Sequence, residues 1–202
     1  DALDYGWKRH QLTHGDVKPE NIMLNSTGQT KLADFGLAKV VGHQFEGTGI
    51  LLTPLYAAPE MIRGQQIRGD CRGDIYSFGA TLYHTFAGVP PYPGDDAREV
   101  MRRHLSEPLV PLNERNRAMP KDLSEFVGTL LAKSPDYRPA DWETVGRRLR
   151  QLERDHRHAR RVIPVASGRL PGRAGQAETV HRHRRRAPVL PWLMVLLLLA
   201  LA

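Results

Sequence analysis

From residue 74 to residue 152 the chain alternates segments of helical apolar spacing with prolines, a pattern that suits bundled helices and leaves little room for sheet. Residues 74–84 place apolar side chains at helical intervals and are stopped by Gly88-Val89-Pro90-Pro91-Tyr92-Pro93. Residues 95–105, 123–132 and 140–152 read as further amphipathic helices, punctuated by Pro108, Pro111, Pro120, Pro135 and Pro139. The first strand character lies upstream, in residues 22–25 and 30–33 about the turn-rich Ser26-Thr27-Gly28-Gln29, a short hairpin signal. Residues 34–60 are rich in Gly and Thr with little periodicity and read as a long loop, the kind that usually carries function. There is no internal repeat.

With 202 residues the chain holds one domain of ordinary size and some length to spare. Its 41% hydrophobic and 25% charged composition excludes a wholly disordered, collagen-like or fully membrane-embedded chain. Charge is divided unevenly. Residues 1–146 carry 16 Lys/Arg against 19 Asp/Glu, a balance of −3, whereas residues 147–202 carry 13 Arg against 3 acids, a balance of +10. The basic character therefore belongs to the tail. One cysteine, Cys71, excludes an internal disulfide and any cysteine-held zinc or iron–sulfur centre, and fits a reducing compartment. Residues 1–7 lack an initiator Met, a basic n-region and an apolar h-region, so they are no signal peptide and read as a chain entered partway through.

After about Glu153 the apolar periodicity gives way to an Arg-, His-, Gly- and Pro-rich stretch, so residues 153–187 read as a flexible linker. Residues 188–202 are then uncharged to the end. As a helix these residues reach about 22 Å, short of the roughly 30 Å hydrocarbon layer, so the run is either an incomplete transmembrane helix or does not span. His181-Arg182-His183-Arg184-Arg185-Arg186 just upstream stands where the positive-inside rule places basic residues of a cytoplasmic flank, and Trp192 suits an interface. A buried core helix and a nucleic-acid patch are the rivals. The Arg cluster lacks interleaved aromatics and abuts an apolar run, which favours the membrane.

The most informative string is His14-Gly15-Asp16-Val17-Lys18-Pro19-Glu20-Asn21, followed by Asp34-Phe35-Gly36 and by Ala58-Pro59-Glu60. Each alone is weak, since an isolated Asp-Phe-Gly is usually a turn. In this order and spacing the chain resembles the protein kinase superfamily, specifically the C-terminal lobe of a Ser/Thr protein kinase. The resemblance covers residues 1–152 and implies a mainly α fold, a helical bundle with a short β-hairpin beside the catalytic loop. It implies transfer of the ATP γ-phosphoryl group to Ser or Thr hydroxyls of a protein substrate, with Mg2+ bridging the phosphates.

Phosphoryl transfer needs positioning and charge neutralisation more than covalent chemistry. By resemblance Asp16 accepts or orients the hydroxyl proton, Lys18 offers an ammonium to the moving phosphate, and Thr53 positions both. Asn21 and Asp34 are the matching cofactor and metal positions, an amide oxygen and a carboxylate that suit magnesium. His14 reads as a packed support, Glu60 and Arg138 as a structural ion pair, and Asp74 as the aspartate that braces the catalytic loop, with a helix cap as its rival reading. Glu20 is a candidate for favouring a basic residue near the target hydroxyl.

Two departures stand out. Gly15 occupies a position where many kinases carry the Arg that pairs with a phosphorylated activation loop, which implies weak dependence on phosphate at Thr48. Nothing upstream of Asp16 reads as a Gly-rich phosphate loop or a V-A-I-K lysine, so these residues alone are expected to be inactive and to bind ATP weakly. The order of kinase lobe, Arg-rich linker and apolar run resembles bacterial receptor-type kinases. It implies a single-pass protein of the cell membrane with its kinase domain in the cytoplasm, a homodimer in the full-length form, and no nucleic-acid partner. A tail-anchored, catalytically dead binding module is the alternative.

Overall fold

The computed structural model describes residues 2–34, 39–40, 53–65 and 70–161. Helices dominate. α1 (Ala2–His10) leads into β1 (Leu12–Thr13), and a hairpin of β2 (Ile22–Leu24) and β3 (Thr30–Leu32) follows a single 3-10 turn at Pro19–Asn21. β4 (Lys39–Val40) returns to β1. A second 3-10 turn, Pro54–Tyr56, precedes α2 (Pro59–Ile62), and then come α3 (Arg72–Ala87), α4 (Ala97–Ser106), α5 (Leu112–Arg115), α6 (Lys121–Leu130) and α7 (Trp142–Arg161). The mainly α expectation holds for the described residues, with two small antiparallel ladders: β2 pairs with β3 and β1 with β4.

α3 is the central element because it is buried along most of its length. Ile75, Tyr76, Ala80, Leu82 and Tyr83 are all within 1% of complete burial. Gly79 permits the closest approach: a Cβ there would lie 2.7 Å from Leu130 Cβ, so α6 packs directly on the α3 backbone. α6 contributes Leu123, Val127 and Leu130 to the same core, and α7 contributes Trp142, Val145, Leu149 and Leu152. Phe78 meets Trp142 edge to face at 5.7 Å, joining α3 to α7.

Local chemistry sets the ends. Gly88 takes φ 75°, the left-handed conformation that terminates α3, and its N–H bonds the His84 carbonyl. Asp96 caps α4 through Arg98 N, and Asp141 accepts from Thr144 N at 2.7 Å ahead of α7. α7 runs on to Arg161, nine residues past Leu152 and into the stretch expected to be linker from residue 153. Beyond its last apolar anchor the helix carries the pair Glu153–Arg157 and a 3.1 Å contact between His156 Nε2 and Asp122 Oδ1 on α6. The remainder of that linker and the apolar run 188–202 lie outside the described residues. Among the described residues no helix is long and apolar enough to cross a membrane.

Candidate active site

The loop that leaves β1 at His14 is fixed to the helical core before it reaches Asp16. His14 is fully buried. Its backbone N–H donates to Asp74 Oδ2 at 2.6 Å, and Gly15 N donates to Asp74 Oδ1 at 2.8 Å. Burial pushes the Asp74 carboxyl above its ordinary value, and these two donors oppose that. Asp74 thus reaches out of α3 to hold the loop instead of capping its own helix, and the helix start is served by Asp70, which accepts from Arg72 N. The His14 ring carries the same design. Nδ1 accepts from Asp16 N at 3.3 Å, which leaves Nε2–H to donate to Ala33 O at 3.0 Å. One imidazole therefore ties the loop bearing Asp16 to Ala33, between the end of β3 and Asp34. Thr81 shares its hydroxyl between Ser77 O and Val17 O, a further tie from α3.

Asp16, Lys18, Asn21 and Thr53 converge on one carboxylate. Lys18 Nζ stands 2.6 Å from Asp16 Oδ2, Thr53 Oγ1 donates to Asp16 Oδ1 at 2.7 Å, and Lys18 Nζ also donates to Thr53 Oγ1 at 3.2 Å. Asn21 Nδ2 donates to the Asp16 backbone carbonyl at 2.8 Å and to Oδ2 at 3.3 Å. Burial alone would raise the Asp16 carboxyl, but the hydrogen bonds from Lys18 and Thr53, the Lys18 charge and the Asn21 amide outweigh it and hold it below its ordinary value. The group is ionised at neutral pH. An ionised carboxylate offers about four lone-pair positions, and three donors use part of that capacity, leaving room for a hydroxyl proton.

Asp34 is brought to the same loop by backbone. Ala33 N donates to Asn21 O at 2.8 Å, which puts Asp34 one residue from the Asn21 peptide. Asp34 is exposed and takes φ 66°, a left-handed conformation that Asp tolerates better than most residues. With Asn21 Nδ2 committed to Asp16, the Asn21 Oδ1 faces no protein donor among the described residues. An amide oxygen and an exposed carboxylate form a hard-oxygen donor set of the kind Mg2+ accepts when phosphates and water complete its octahedron. No group of three or more His, Cys, Asp or Glu side chains suited to a metal occurs among the described residues.

Two features escape a reading of motifs. Tyr56 OH and His84 Nδ1 lie 2.8 Å apart, pinning the far end of the Pro54–Tyr56 turn, whose preceding residue, Thr53, touches Asp16. Burial, then the Glu20 charge, pushes the Tyr56 hydroxyl up to about 12. β2, continuing directly from Asn21, exposes Met23 and Leu24. The expected Glu60–Arg138 pair is present and bidentate, at 2.7 and 2.8 Å, with both side chains buried. Phe35, Gly36 and Thr48 lie outside the described residues.

Against known proteins, the family model described as the protein kinase domain matches residues 1–148. Serine/threonine-protein kinase PknB of Mycobacterium tuberculosis is 35% identical over 159 residues, 77% of this chain and 24% of that protein. The DNA damage-responsive serine/threonine-protein kinase RqkA of Deinococcus radiodurans is 36% identical over 133 residues, 64% of this chain and 20% of its own length. Serine/threonine-protein kinase PknK of Mycobacterium tuberculosis is 32% identical over 176 residues, covering 84% and 16% respectively. The chain thus spans a quarter or less of the length of these relatives.

Proposed function

The chain belongs to the protein kinase domain family, and from that premise we propose that it is the C-terminal lobe of a Ser/Thr protein kinase that transfers the ATP γ-phosphoryl group to protein hydroxyls. One observation supports this above all: the Asp16 carboxylate is held ionised between Lys18, Thr53 and Asn21 at 2.6 to 3.3 Å. A lobe without chemistry has no physical reason to keep a half-buried cation, a hydroxyl and an amide trained on one carboxylate.

Asp16 receives the Ser or Thr hydroxyl and orients its proton toward the ionised oxygens, so that the oxygen lone pair points at the phosphorus. Thr53 keeps the carboxylate from rotating. Lys18 holds its ammonium against Asp16 and Thr53, placed to move onto phosphate oxygens as charge shifts toward them. Asn21 Oδ1 and the Asp34 carboxylate would hold Mg2+, which would supply positive charge to offset that of the phosphates. Met23 and Leu24 offer an apolar face beside this site for a nucleobase. Exposed Glu20 would favour a cationic side chain near the target hydroxyl.

Half of a nucleotide's contacts in this reading come from a second lobe with a Gly-rich loop and a lysine on a strand, which these residues do not encode. Residues 1–202 alone are therefore inactive. The apolar run 188–202 and the basic cluster before it would attach the protein to a membrane with the lobe on the cytoplasmic side. The test is Asp16→Asn in a form that carries a nucleotide-binding lobe. A loss of about 100-fold or more in kcat with substrate affinity little changed is expected, and unchanged kcat would overturn the assignment.

A further inference from the structure

α7 carries two opposed faces. Trp142, Val145, Leu149 and Leu152 are buried in the core. Arg147, Arg150, Arg154 and Arg157 recur at steps of three, four and three, and all four are exposed. At about 100° per residue these spacings set the arginine stripe opposite the buried one. Glu143 stands at the N-terminal end of the basic face and is shared by Lys8 at 2.9 Å and Arg147 at 3.3 Å. Glu153, to one side, pairs with Arg157. Between Arg147 and Arg157 no acid falls on the stripe itself. Exposed intrahelical pairs of this type contribute little and yield to a stronger field.

This face leads into the most basic part of the chain. After α7 the sequence carries Arg169, Arg173, Arg182, Arg184, Arg185 and Arg186 against a lone Glu178, and then the uncharged run 188–202. We propose that the arginine face of α7 docks the lobe flat against an anionic phospholipid bilayer. The proposal rests on the membrane attachment argued above and extends it from the tail to the folded lobe. A basic side chain close to an anionic leaflet strengthens binding roughly fivefold, so four on one rigid face act together where any one would do little. Nucleic acid offers the same charge, but the face has no aromatic side chain on which a base could stack, Trp142 being on the buried side.

The test uses the whole 202-residue chain on vesicles of phosphatidylcholine, with and without phosphatidylserine. Flotation reports attachment, and arginine modification by phenylglyoxal, resolved residue by residue by mass spectrometry, reports docking. Phosphatidylserine is expected to slow modification of Arg147, Arg150, Arg154 and Arg157 about fivefold or more, while exposed Arg98 and Arg117 react as before. About 0.5 M salt, with a Debye length of roughly 4 Å, should abolish the protection. The variant R147Q/R154Q should still float and show weaker lipid-dependent protection of the remaining Arg150 and Arg157. Flotation with equal modification on both vesicles overturns docking and leaves the tail anchor standing, whereas no flotation on either overturns both. Stronger protection by duplex DNA than by phosphatidylserine would hand the surface to nucleic acid.

Discussion

Asp74 and Arg138 show how single buried charges organise this lobe. Asp74 sits in the first turn of α3, yet its two oxygens serve the backbone of residues 14 and 15, so the loop bearing Asp16 is indexed to the core helix by charge-assisted bonds of 2.6 and 2.8 Å. Arg138 does the same for the end of the long loop. It grips Glu60 with both terminal nitrogens, donates to the carbonyls of Ala132, Arg72 and Lys133, and lies over the Tyr76 ring at 4.8 Å. Removing one partner strands the other in the interior. Glu60→Gln is therefore expected to cost about 3–5 kcal/mol, read as a shift in the urea midpoint with unchanged m-value. A loss under about 1 kcal/mol would mean that the carbonyls alone satisfy Arg138. The resemblance to the kinase family marks these residues in the sequence through the motifs in which they stand. Tyr56 and His84 are not marked, since a Tyr–His contact across 28 positions leaves no local pattern.

Elements divide the same way. α3, α4, α6 and the β2–β3 hairpin follow from apolar periodicity, caps and a turn, and the structure moves their ends by a few residues at most. The β1–β4 pairing, Leu12 with Val40 and Thr13 with Lys39, joins two-residue strands too short to show alternation. The last turns of α7 were missed for the opposite reason: polar contacts and ion pairs hold them after the apolar signal stops. Where α3 meets α6, Gly79→Ala places a methyl 2.7 Å from Leu130 Cβ. A destabilisation of about 1–3 kcal/mol is expected from thermal unfolding, and a neutral outcome would mean that the helices separate freely.

α4 carries the clearest pH signature. His104 is fully buried, and its Nδ1 lies 2.8 Å from Tyr76 OH. Burial, then the nearby Lys133 charge, pushes the imidazole down to about 4. Between pH 4 and the ordinary value of about 6.5 the unfolded chain binds a proton that the folded one refuses, so stability falls as pH drops through that window, by about 3 kcal/mol in all. His104→Gln should flatten the slope of unfolding free energy between pH 4.5 and 6.5 measured by urea titration. An unchanged slope would place the responsible group elsewhere.

Across the whole molecule, charge and chemistry are kept apart. Residues 1–146, slightly acidic in balance, hold the candidate site, and Arg147, Arg150, Arg154 and Arg157 are exposed on α7. The helical character is legible in the sequence from apolar spacing, and the motifs from their resemblance to those of the protein kinase family. What the motifs could not reveal is the scaffold behind them, in which His14 couples the Asp16 loop to Ala33, next to Asp34. The account stands or falls on whether these residues share one metal–nucleotide site. Titration of the chain with Mn2+ and a non-hydrolysable ATP analogue, followed by paramagnetic broadening of backbone amide resonances, tests this even when binding is weak. The expected broadening centres on Asn21 and Asp34, extends to Asp16 and Lys18, and disappears in Asp34→Ala, whereas broadening centred elsewhere, or unaffected by that substitution, would contradict the assignment.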